Sequence, residues 1–208
     1  MYALVIDGSI SRYFNYPKGF TLGDLQYPAD IFTKWSVEEK TAIGLYEVTF
    51  DNSNKLDEAF YINTNQTFTY DADAGTVTAA YGDATAKAHA DTTWSQQDSD
   101  DGDLPDDKSV GDIKTRGLKY NLIQTLKQQV AGILNDTDWY ITRNAEKSTA
   151  IPSAISTHRD AVRTKQASME TAITNASNTP ALETLYTYTT DSDGVQSRPL
   201  GEFPRLES

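Results

Sequence analysis

Two histidines, His89 and His158, are the only side chains of this sequence whose ordinary titration lies near neutrality. Neither belongs to a paired ligand motif such as H-E-x-x-H. His158 follows Thr157 within an expected helix and reads as a packed or solvent-facing ring. Asp136 and Asp138 flank Thr137. Paired carboxylates can do acid–base work, but beside a helix end the expected role is turning or capping. There is no cysteine, hence no thiol nucleophile and no disulfide framework. No G-x-S-x-G elbow, phosphate-binding loop or dinucleotide fingerprint occurs. The expectation is a chain with no catalytic residues, no bound metal and no cofactor, and therefore not an enzyme.

Residues 98–107 hold six aspartates in ten positions. A calcium loop needs carboxylates at its first, third and fifth positions, glycine at the sixth and an acid at the twelfth. With Gly102 as the sixth, Gln97 and Lys108 fall on the first and twelfth, and the template fails. Gly194 fails likewise, with Thr189 and Leu200 at those positions. The acidic run is expected to be a solvated linker, because like charges repel and Gly102 and Pro105 discourage regular structure. Asn65 and Asn175 begin glycosylation-like triplets, which are common by chance.

The elements that would position these groups centre on residues 118–169. Leu118, Leu122, Leu126, Val130 and Leu134 recur every four residues, and Ile123 and Ile133 widen the stripe. Asn135-Asp136 ends the pattern. A second stripe, Ile155, Val162, Met169 and Ile173, starts beyond Pro152, with Arg159 and Gln166 among it. Helices near 112–134 and 153–174 are expected to fold back as an antiparallel hairpin. Trp139 should lie largely buried at their junction, or serve instead as an interface hot spot.

Before this hairpin, apolar runs on either side of Asp7-Gly8 read as a β-hairpin. Ser36 with Glu39 forms a capping-box pattern opening a short helix that ends at Gly44, and residues 45–48 read as a strand. Residues 60–63, 66–70 and 76–81 are strand-like, around a turn at 71–75. Residues 84–90 could form one helical turn. Beyond 175, residues 185–190 and 195–198 resemble a hairpin, and 199–208 should be extended. The expected class is α+β: an N-terminal, mostly antiparallel β-rich domain (1–90), an acidic linker (91–110), a helical hairpin module (111–176), and a C-terminal hairpin and extended arm (177–208).

The chain has 208 residues, enough for one large domain or two small ones, and is only 38% hydrophobic. A thin core is expected, leaning on other subunits. The net charge of −12 argues against nucleic acid and anionic membrane surfaces as partners. The opening apolar run is too short and lacks the basic flank of a signal peptide, and no run approaches the length of a membrane span.

One stretch also resembles a known module. Residues 126–146, with Thr137-Asp138-Trp139, then Ile151-Pro152 and the segment from His158-Arg159 to Arg163, resemble a bacteriophage tail module. That module has a helix ending in an LLxxTDW pattern, a polar turn with an Ile-Pro pair, and a helix carrying YRxALR. His158 departs from it, standing where the family usually has tyrosine. Ser36, Glu38, Glu39, Gly44, Tyr46 and Val48 resemble a second short segment of such proteins, and residues 2–10 resemble the start of many of them. The resemblance implies a structural protein of a phage tail, joining tail or baseplate to fibres, located in the virion after assembly in the host cytoplasm. An assembly chaperone that leaves before the virion is complete is the alternative. Partners would be tail-fibre or baseplate proteins, with self-association also open. The residues expected to carry such contacts are Trp139, Tyr140, Arg159, Tyr186, Tyr188 and Phe203. Strands 66–70 and 76–81 would add edges able to accept another strand.

Overall fold

Asp7 and Gly8 both adopt positive φ, 51° and 74°, the backbone of a two-residue reversal whose twist matches its strands. Strands β1 (Tyr2–Ile6) and β2 (Ser9–Phe14) pair antiparallel across it. The computed structural model describes residues 1–206, which fall into two compact units, Met1–Thr85 and a second beginning at Ala86. The protein is α+β, with mostly antiparallel sheets in the first unit and helices in the second.

In the first unit the chain continues through β3 (Phe20–Leu22), β4 (Leu25–Tyr27), α1 (Ile31–Lys34), α2 (Val37–Ala42), β5 (Leu45–Asp51), β6 (Tyr61–Ile62), β7 (Thr67–Asp71) and β8 (Thr76–Ala80). The main sheet has the order β2-β1-β5-β8-β7. Strands 67–71 and 76–80 pair antiparallel as expected. However, β8 is not an edge: it also pairs with β5, in parallel. Only β7 and β2 are outermost in the sheet, and Tyr13 of β2 packs on Phe68 of β7 with ring centroids 4.6 Å apart. The sheet therefore curls until its edges touch through side chains.

Alternation along β1 explains why two clusters form, because successive side chains leave a strand on opposite faces. Leu4 packs with Phe14, Phe20, Ile31, Phe32 and Leu45 on one face. Ala3 packs with Val48, Val77 and Ala79 on the other. The Ser36 capping box is present, with Ser36 Oγ accepting from Glu39 N and Glu39 Oε2 accepting from Ser36 N. The helix it opens is stopped by Gly44, whose φ is 77°; an added Cβ would lie 2.2 Å from Val5 O. Glycine is required there twice over, for its backbone conformation and for the close approach of β1.

In the second unit α3 (Gln96–Asp100) precedes α4 (Leu118–Asn135), α5 (Asp138–Lys147), α6 (Ser153–Asn175) and α7 (Thr179–Tyr186). Helices α4 and α6 are antiparallel: Lys119 Nζ, near the start of α4, donates to Thr174 O, near the end of α6 (2.8 Å). Leu126 and Val130 of α4 and Ile155, Val162, Met169 and Ile173 of α6 are buried. They belong to the stripes the spacing assigned to the seam, while the other expected α4 positions, Leu118, Leu122, Ile123, Ile133 and Leu134, are half-buried.

The structure departs from several expectations. Residues 113–115 are a strand paired with 92–93, so α4 starts six residues later than the expected 112. Its first N–H groups are met from outside the helix: Leu118 N donates to Ala88 O (2.9 Å) and Lys119 N to His89 O (3.0 Å). Asp91 accepts from Gly117 N (2.8 Å) and Arg116 Nη1 (2.6 Å). Residues 84–90, where one helical turn was expected, contain no helix.

The acidic stretch is partly ordered. Ser95 and Asp98 form a second capping box, and Lys114 pairs with Asp98 while its ammonium stands 4.3 Å from the Trp94 ring centroid. Residues 185–186, read as strand, end α7. Asn178 caps that helix by accepting from Ala181 N (2.9 Å), and Pro180 sits in its first turn. The short strands that follow are Thr189–Thr190 and Gln196–Ser197. The expected arm is folded against its own unit: Leu200 is buried, and Leu200 N donates to Leu185 O (3.0 Å). The last two positions of that arm, 207 and 208, lie outside the described residues.

Candidate functional site

The connection between the two long helices was expected as a polar turn with Trp139 buried in it. It instead contains α5, and this moves Trp139. Asp138 is the first residue of α5, so Trp139 projects from a separate helix and is 51% exposed. The junction is filled by Arg159 of α6, which is 7% exposed. Arg159 Nη1 donates to Leu134 O and to Thr137 Oγ1, both at 2.7 Å. Its Nη2 pairs with Asp138 Oδ1 at 2.8 Å. Thr137 is itself buried, and its hydroxyl donates back to Leu134 O (3.0 Å).

One guanidinium thus ties the end of α4, the start of α5 and the first third of α6. The planar fork of arginine suits such a three-way contact, which a lysine cannot reproduce. Asp138 adds a negative charge at the positive end of the α5 dipole. Asp136 and Asp138, considered as a carboxylate pair, are divided in role: Asp138 is the arginine's partner, and Asp136 is the C-cap of α4. Arg159, expected among the contact residues, is corrected to a buried positioning residue.

What this lock presents is an aromatic and cationic face on α5. The Trp139 and Tyr140 rings lie 3.9 Å apart between centroids, tilted by 35°. The Arg143 guanidinium stands over both, at 4.6 Å from Trp139 and 5.4 Å from Tyr140. Ile141 is also exposed. Tryptophan, tyrosine and arginine are the residue types that dominate binding energy at protein interfaces. The sequence reading found Trp139 and Tyr140 but missed Arg143. The signal was its spacing, four residues after Trp139 on one helix.

The other expected contact residues form a separate group. Tyr188 is exposed, and its hydroxyl donates to Glu202 Oε1 (2.5 Å). Arg198 pairs with Glu202 (2.8 Å) and stands over the Tyr186 and Tyr188 rings at 5.6 and 5.2 Å. The Tyr188 hydrogen bond, followed by Arg198, holds the Glu202 carboxyl below its ordinary range. Burial raises the half-buried Tyr186 phenol. Phe203 is half-buried beside α4 and α6. These residues staple the tail rather than offer a free aromatic arm.

Among the described residues, no cluster of three or more His, Asp or Glu side chains could hold a metal ion, and no helix is long and apolar enough to cross a membrane. His158 is buried in α6 and lines clefts beside residues 203–206. No family model, curated protein or solved structure matches this chain.

Proposed function

We propose that this protein is a structural component of a bacteriophage tail that connects tail or baseplate to fibres through protein–protein contacts, with the exposed face of α5 as a docking surface. One observation carries the reading. The residues through which the 126–163 segment resembles the phage module divide into two sets. Thr137, Asp138 and Arg159 are spent on an internal lock. Trp139, beside them, is 51% exposed, with the half-buried Tyr140 and Arg143 packed against its ring. A buried lock that holds a half-exposed tryptophan is suited to presenting a preorganised contact, because little side-chain freedom remains to be lost on binding. Chemistry on a substrate has no part in the proposal.

The test is mass spectrometry of purified particles, with the wild-type chain and the pair Trp139→Ala and Arg143→Glu. The wild type should be present in fixed stoichiometry with tail proteins. Each variant should fold, with an unchanged circular dichroism spectrum, yet be depleted from particles by about tenfold or more, the loss expected from a hot-spot residue. A wild-type protein absent from particles but required for fibre assembly would overturn the reading in favour of a chaperone.

A further inference from the structure

A cleft of about 390 Å³ opens between the first turns of α6 and residues 204–206. Three observations on its walls point to an anion. The first is His158, which lines the cleft and is only 9% exposed. Among the described residues its imidazole makes no hydrogen bond or ion pair. A neutral imidazole carries one N–H donor, and polar groups this deeply buried are as a rule paired.

The second is the start of α6. Its N-cap is Pro152, no side chain accepts from its first turn, and the N–H groups of Ser153 and Ala154 have no acceptor among the described residues. Both residues border the cleft. Free N–H groups and the aligned peptide dipoles of a 23-residue helix favour negative charge there.

The third is charge. Arg205 lines the cleft and has no carboxylate partner among the described residues. No acidic residue lines it, although the chain as a whole carries −12. The nearest candidate, Asp136, lines only the neighbouring cleft of about 290 Å³, which His158 and Arg205 also border.

We propose that this cleft binds a small organic carboxylate. The start of α6 and His158 receive the carboxylate, and Arg205 adds its charge from the opposite wall. Ala161, Pro204 and Leu206 cover the apolar part. That apolar wall distinguishes the ligand from a bare inorganic anion, and the volume is that of a small-molecule site.

His89 and His158 are the only imidazoles, so a histidine-selective NMR spectrum of the full chain has two sets of side-chain signals, assigned with His89→Gln. Phenylacetate is the probe. It should move the His158 signals saturably and leave those of His89 in place. Phenylacetamide, uncharged but with the same ring, should not saturate over the same range. Inorganic phosphate should bind about tenfold more weakly or less. Ser153→Pro removes a free N–H at a position that proline suits, since the ψ of 137° at Pro152 already accommodates a following proline. It should weaken phenylacetate by about tenfold, the worth of a hydrogen bond to a charged group. Arg205→Gln changes only an exposed side chain and should weaken it by about threefold. His158 signals that phenylacetate leaves unmoved overturn the proposal. So does phenylacetamide or phosphate binding as well as phenylacetate, or full affinity in both variants. None of these outcomes bears on the α5 face, whose residues do not line this cleft.

Discussion

The lock around Arg159 makes an asymmetric prediction: removing its exposed partner destabilises the protein more than removing the buried arginine. In Arg159→Met the partners left behind are nearly all satisfied. Leu134 O retains Thr137 N (3.1 Å) and the Thr137 hydroxyl (3.0 Å). The Asp138 side chain is 55% exposed, so water takes the freed carboxylate. The loss is then a set of charge-assisted hydrogen bonds, partly offset by no longer burying a guanidinium whose Nε has no partner. A net cost of about 1–2 kcal/mol follows.

In Asp138→Ala the guanidinium stays buried and faces only the neutral oxygens of Leu134 and Thr137. Stranding a buried charge costs about 3–5 kcal/mol, reduced here because Asp138 is half in solvent, and loss of the α5 dipole partner adds about 0.5. About 3 kcal/mol is expected. The double variant should cost less than the two single costs added, because without the arginine no charge is stranded. Urea unfolding of the full chain, followed by far-ultraviolet circular dichroism that the α4–α6 helices dominate, measures all three. Arg159→Met costing more than Asp138→Ala by over about 1 kcal/mol, or strict additivity of the pair, would refute the reasoning.

Three further outcomes are expected. Gly117→Ala places a Cβ 2.3 Å from the backbone of Ala90, so α4 must leave its docking partner, at a cost of about 3 kcal/mol or more by thermal melt, while Gly132→Ala, where the space is open, should be neutral or mildly stabilising. The Asp91 carboxyl is held below its ordinary value of 3.8 by the hydrogen bond from Gly117 N, then by Arg116; its stabilisation is complete above 3.8 and is lost as pH falls through the lower folded value. Asp91→Asn should therefore flatten the acid limb of the stability curve and leave its slope near neutrality unchanged. Trp139→Ala should lower stability by only about 1 kcal/mol, the worth of a half-exposed ring contact and cation–π pair, and a drop of 3 or more in urea titration would mean that the ring is buried.

Local rules in the sequence determined much of this protein. Asp7-Gly8 specified a hairpin and Ser36 with Glu39 a helix start, because each acts on backbone groups within a few residues. The seam of α4 and α6 was legible because one face of a helix repeats at fixed spacing and must be covered. What failed depended on groups distant in the chain. Nothing near Trp139 says that Arg159, on the next long helix, takes the junction and leaves the tryptophan outside. The start of α4 is decided by carbonyls of Ala88 and His89, and the place of β8 by its parallel pairing with β5, with β6 and β7 between them in the chain. The start of α7 was encoded, in Asn178 and Pro180, but those residue types also mark breaks. Capping, turning and amphipathic spacing are properties of a segment. Whether a given aromatic ring is covered is a property of everything that reaches it, and only the tertiary structure decides that.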